Sequence, residues 1–167
     1  MLNTMKQFVY NNESYAQTLI PVPVFTDTLN VELLVTFIDL VEIDVVTGTM
    51  TVSIFIDLFW DDGILTGWNE TQTDGVYELV MPNGMMWVPD IQIYNAIGGY
   101  FDQIDDYVIF MGSVGNMWWS GRGIMTFSCS YLVEDFPFDV QHCGPQFASW
   151  IYPTWNVNIS SVEVVVD

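Results

Sequence analysis

A chain of 167 residues, 51% hydrophobic and 16% aromatic, has the length of one domain and enough apolar material for a single core, which excludes a disordered acidic tail. Twenty-one Asp and Glu stand against only Lys6 and Arg122, a formal net charge of −19. Nucleic acid is excluded as a partner, because binding phosphates takes clustered Lys and Arg.

Along the chain, the first six residues lack the apolar run of a signal peptide. No stretch reaches about 18 uncharged apolar residues, so no membrane span is expected. Residues 2–18 are the only place for a short helix. Residues 29–46 alternate apolar and polar in the manner of a half-buried strand. Thr47-Gly48-Thr49 turns the chain, and residues 50–60 repeat the pattern with Val52, Ile54, Ile56 and Leu58 on one face. Further strands are expected over 76–81, 86–94, 107–111, 116–127, 128–135 and 156–166, divided by Gly, Asn, Asp and Pro. Short strands with no helical period predict an all-β sandwich formed as one domain over residues 1–167.

Cys129 and Cys143 enclose thirteen residues, a loop for which a disulfide is worth about 3 kcal/mol in the chain-entropy model. We read them as a disulfide, which implies an oxidising compartment. Three glycosylation sequons, at Asn12, Asn69 and Asn158, point the same way, to a secreted or extracellular glycoprotein.

Inside that loop runs Phe136-Pro137-Phe138-Asp139. Proline stiffens the turn, the Phe rings are expected to anchor on apolar surface, and Asp139 is expected to accept backbone hydrogen bonds. Trp60, Trp68-Asn69, Met86-Trp87-Val88-Pro89-Asp90-Ile91, Tyr94-Asn95, Gly115 to Trp119 and Ser149-Trp150-Ile151-Tyr152 complete an ordered series. Over about residues 25–160 the chain resembles the Cys-loop ligand-binding family of pentameric receptors and their soluble relatives, the acetylcholine-binding proteins. The resemblance implies the Cys-loop β-sandwich, assembly into a homopentamer and a small cationic ligand held in an aromatic cage between subunits. By matching motifs, Tyr94 and Trp150 would stand on the principal face and Phe55, Trp118 and Ser120 on the complementary face. Two departures are plain: Phe55 replaces the tryptophan usual there, and there is no adjacent cysteine pair, which in acetylcholine-binding relatives sits on the hairpin that closes over the ligand.

Enzyme chemistry is not expected, since His142 is the single histidine and no phosphate loop, zinc helix or nucleophile elbow occurs. The carboxylates suit a different task. Asp61 with Asp62, Asp102 with Asp105 and Asp106, and Glu134 with Asp135 and Asp139 occupy turn-like positions that can offer oxygens to weak, multiple Ca2+ sites. Among the family's members, the acidity is most similar to the molluscan ones that bind amorphous calcium carbonate. The expectation is therefore a secreted binder of calcium or nascent calcium carbonate that modulates mineral growth. The alternatives are a binder of a small cation at the subunit interface, or the extracellular part of a pentameric ligand-gated channel.

Overall fold

The computed structural model describes residues 19–24, 26–65, 75–81, 84–99, 104–132, 134 and 137–166, with only the backbone of Asp105 and Asp106. Among them there are eight strands and no helix: β1 (Leu29–Asp44), β2 (Thr49–Asp61), β3 (Glu78–Met81), β4 (Ile91–Ile93), β5 (Ile104–Gly112), β6 (Asn116–Ser128), β7 (Phe147–Ser149) and β8 (Val157–Val166). The expected helix over residues 2–18 lies outside the described residues.

A six-stranded sheet runs β3-β5-β6-β2-β1-β8, and β4 pairs with β7 in a two-stranded sheet. Neighbours are antiparallel except β1 and β8, which run parallel from Leu29↔Val157 to Phe37↔Val166. The all-β sandwich is as the sequence predicts. On β2 the inward set Val52, Ile54, Ile56, Leu58 and Trp60 is at most 4% exposed, because a strand with side-chain period 2 sends every second residue into the core. Leu29, Val31, Leu33 and Val35 of β1 and Met117, Trp119, Met125 and Phe127 of β6 meet them there. Each such side chain contributes about 1.5–3 kcal/mol by leaving water. Ile91 and Ile93 belong to the same cluster, so the two-stranded sheet packs on the buried face of the larger one.

β1 breaks register between Phe37 and Asp39 and again between Leu40 and Glu42. Beyond the first break Ile38, Leu40, Val41 and Ile43 are exposed, so the C-terminal half of β1 departs from the half-buried pattern its sequence predicts. The β5–β6 hairpin turns at Gly115, whose φ of 91° suits glycine alone. A Cβ there would stand 2.7 Å from the Leu65 carbonyl oxygen, and the Gly115 carbonyl accepts the Asp62 N–H at 2.8 Å.

Three expectations are corrected. The strand over 86–94 shortens to Ile91–Ile93: Asp90 turns its carboxylate to Ser149, the last residue of β7, and to the Ile151 N–H beyond it instead of continuing a ladder. No strand covers 128–135: β6 ends at Ser128, and Cys129 donates its N–H to Gly48 O at 2.8 Å as the chain enters the disulfide loop. β7, only Phe-Ala-Ser, was not expected, since three residues carry no readable period.

Candidate functional site

Asp90 builds the first half of the site. Its carboxylate accepts Ser149 Oγ at 2.6 Å and the Ile151 N–H, while its carbonyl accepts the Trp150 N–H at 3.2 Å. Ser149 Oγ also accepts the Tyr152 N–H at 2.9 Å, so the backbone on both sides of Trp150 is fixed. Asn95 does the same for Tyr94. Its amide donates to Ser128 O at 3.0 Å and Gly144 O at 3.1 Å and accepts the Gln146 N–H at 2.9 Å, while the Tyr94 N–H donates to Gln146 O at 2.7 Å. Tyr94 and Trp150 thus come together with ring centroids 6.2 Å apart, 60% and 66% exposed. Beside them lies a cavity of about 230 Å³ lined by Gln92, Ile93, Ala96, Gly98 and Gly99. Two π faces at an open edge attract an organic cation.

The second half is on the six-stranded sheet. Phe55, Asp57 and Phe59 of β2 stand opposite Arg122, Ser120 and Trp118 of β6. Phe55, Ser120 and Trp118 are all half-buried on the outward face. Asp57, 8% exposed, accepts Trp118 Nε1 at 2.9 Å and so fixes the indole. Trp118 also stacks on Phe110 and Phe59, at 4.6 and 5.9 Å. The motif-matched residues therefore fall into two groups, Tyr94 and Trp150 just beyond the ends of β4 and β7, and Phe55, Trp118 and Ser120 on β2 and β6 of the six-stranded sheet.

Sequence reasoning missed Asp57, Asp90 and Asn95, the residues that orient the aromatics, and Arg122, the register partner of Phe55. Asp90 and Asn95 were visible only as members of motifs; nothing in their spacing says which backbone groups they hold. Arg122 was noticed as one of two cations, and cross-strand register alone puts it beside Phe55.

The carboxylates expected to bind calcium are dispersed. Asp61 is exposed, while Asp62 points the other way, buried, its Oδ1 accepting the N–H groups of Ile64 and Leu65 at 2.9 Å. Glu134 is exposed, and Asp139 accepts the side-chain amide of Gln141. Asp102 and Asp135, and the side chains of Asp105 and Asp106, lie outside the described residues. Among the described residues no three His, Cys, Asp or Glu converge as a metal site.

Cys129 and Cys143 form the expected disulfide, Cα atoms 5.5 Å apart. The loop's interior corrects one expectation: Phe138 is 89% exposed and anchors on nothing, and Gln141 braces the loop instead through the N–H and carbonyl of Leu132, at 3.0 and 2.6 Å. Phe136 lies outside the described residues, as do the sequons at Asn12 and Asn69. Asn158 is half-buried and donates to Asn30 Oδ1 at 3.1 Å.

Residues 4–165 match the family described as the neurotransmitter-gated ion-channel ligand binding domain. Similar relatives include the neuronal acetylcholine receptor subunit alpha-2 of Homo sapiens and of Gallus gallus, each 32% identical over 147 residues, which is 88% of this chain and 28% of theirs. Subunit alpha-3 of Bos taurus is 30% identical over the same share of this chain and 30% of its own. The chain thus spans less than a third of the length of these relatives. It belongs to the neurotransmitter-gated ion-channel ligand-binding domain family.

Proposed function

We propose that this chain is the extracellular ligand-binding part of a receptor-type subunit, and that it takes a small organic cation between subunits of a homopentameric ring without catalysing a reaction. Tyr94 and Trp150 of one subunit would face Phe55, Trp118 and Ser120 of the next. The observation that carries the reading is the exposed Tyr94–Trp150 pair, locked by Asp90 and Asn95 beside an open cavity. The names of the relatives, acetylcholine receptor subunits, support acetylcholine as the first ligand to try. Each ring face contributes about 0.5–1 kcal/mol while exposed and about 2 kcal/mol once a neighbour excludes water, so the ring matters to affinity.

Light scattering and calorimetry on one preparation test this. About five times the chain mass, with acetylcholine binding that Trp150→Ala removes, is the expected result. A monomer that binds no acetylcholine, choline or nicotine would overturn it.

Calcium keeps a secondary place. The charge of −19 favours loosely held divalent ions, with affinities of roughly 10⁻⁴ to 10⁻³ M for extracellular modules. Binding of calcium carbonate rests on that acidity alone, and the receptor relatives favour the organic-cation reading over it. Calcium titration of a variant carrying Asn at Asp102, Asp105 and Asp106 checks the secondary role: uptake should fall, and unchanged uptake would remove those residues from it.

A further inference from the structure

A second aromatic feature lies on the outward face of the six-stranded sheet. It sits four residues beyond Phe55 on β2, about 13 Å away at the rise of a strand. Register aligns Glu32, Phe59, Trp118, Phe110 and Val80 in one rung across β1, β2, β6, β5 and β3. The planes of Phe59 and Trp118 differ by 14° and those of Phe110 and Trp118 by 19°. Because the three rings stand nearly parallel, Trp118 covers one face of Phe59, and the other turns toward β1, where Glu32 is the register partner.

A cavity of about 360 Å³ opens at this place, with Glu32, Phe59, Asp61, Glu78, Asn116 and Trp118 in its wall. Gly112 shapes one side: a Cβ there would fall 2.1 Å from Asn116 Oδ1, so the bare glycine lets the Asn116 amide lie across β5. Gly112 is in turn the register partner of Glu78. Glu32, Asp61 and Glu78 are exposed. Arg122, the only Lys or Arg among the described residues, stands opposite Phe55 at the other end of the β2 strip.

We propose that this slot is a second cation site, for a small ammonium or guanidinium ion laid on the free face of Phe59 and flanked by Glu32, Asp61 and Glu78. The slot shares Trp118 with the intersubunit reading but includes neither Tyr94 nor Trp150. An organic cation fits better than a metal ion. Calcium needs six to eight oxygens at close range, whereas among the described residues no three His, Cys, Asp or Glu converge. A weakly hydrated organic cation gains from both a ring face and a nearby negative charge.

The test is a titration of the 167-residue chain carrying Trp150→Ala, which removes the Tyr94–Trp150 pair as a competing site, with methylguanidinium and with tetramethylammonium at constant ionic strength. It is followed by tryptophan fluorescence, and potassium serves as the control. Saturable millimolar binding is expected for the organic ions and none for potassium. Phe59→Leu keeps the bulk but removes the π face, and should weaken binding about three- to fivefold. Glu32→Gln and Glu78→Gln, in the same background, should each weaken it by a similar factor. Potassium binding equally well, or Phe59→Leu binding like the parent while Glu32→Gln does not, would reduce the slot to plain charge attraction and overturn the proposal. Absence of saturable binding in the Trp150→Ala background would assign any signal of the parent chain to the other site and overturn it as well. Where Phe59→Leu fails to fold by circular dichroism, the two Gln variants decide: both binding like the parent sinks the proposal.

Discussion

The β2–β6 pair and the β4–β7 pair are held by different physics. β2 and β6 run from Thr49↔Ser128 to Asp61↔Asn116 without a register shift, over a face of fully buried Ile, Val, Leu, Met and Phe. β4 and β7 share only Ile91–Ile93 against Phe147–Ser149 and depend on two polar side chains, Asp90 and Asn95, to fix the backbone at their ends. Apolar burial is non-directional, and it carries the stability. Hydrogen bonds to single atoms are directional, and here they carry the position of Tyr94 and Trp150. A scaffold can therefore be damaged without moving the aromatic pair, and the pair can be displaced without unfolding the scaffold.

The sharpest break in this contrast comes from the core. Phe127→Ala, at a residue with no exposure, should cost about 3–5 kcal/mol, read as a fall in the urea midpoint. Molecules that remain folded should still bind ligand. A loss below about 1 kcal/mol would mean that the β6 core is less tightly packed than its burial indicates.

Asp90→Ala is the next in size and acts on the ribbon. It frees Ser149 Oγ and the Ile151 N–H, and should cost about 1–3 kcal/mol while abolishing binding at the Tyr94–Trp150 pair. Unchanged ligand affinity in this variant would show that the ribbon holds its shape without the carboxylate.

Trp150→Ala separates the two regions most cleanly. The side chain is 66% exposed, so stability should change by less than about 0.5 kcal/mol, while cation binding at that pair disappears. A large drop in midpoint would instead give Trp150 a structural part.

The smallest effect belongs to the β1–β2 turn. The Asp44 carboxyl is held below its ordinary value of 3.8, first by the Thr47 side chain and then by the Thr47 N–H, with the Val46 N–H adding a further bond. A folded-state value below the unfolded one gives a contribution present above pH 3.8 and lost as pH falls through the lower folded value. The group sits in a surface turn, so the effect should be slight. Asp44→Asn should flatten the acid limb of the stability curve without touching ligand binding, and identical acid limbs would remove the turn from the pH response.

Much of the scaffold is written in local order. Residues 50–60 and 116–127 were legible as two long strands, and alternation in the first marked its inward face, because the strand period is set by backbone geometry and needs no partner to be read. Cys129 and Cys143, with Phe-Pro-Phe-Asp between them, marked the closed loop and the family. The same alternation misled over the second half of β1, where register shifts leave Ile38, Leu40, Val41 and Ile43 exposed, and over 128–135, where the disulfide loop takes the chain out of the sheet.

What only the tertiary structure decided is who meets whom. Asp61 and Asp62 adjoin in sequence, yet the pleat sends one outward and buries the other under two backbone N–H groups. Phe55 and Arg122 are far apart in sequence, yet antiparallel register sets them side by side. Glu32, Phe59, Trp118 and Phe110 come from four strands and form one rung only because those strands lie in the order β1-β2-β6-β5. Periodicity belongs to a single strand and survives in sequence; register and strand order belong to pairs of strands, fixed by long-range burial that no local window contains.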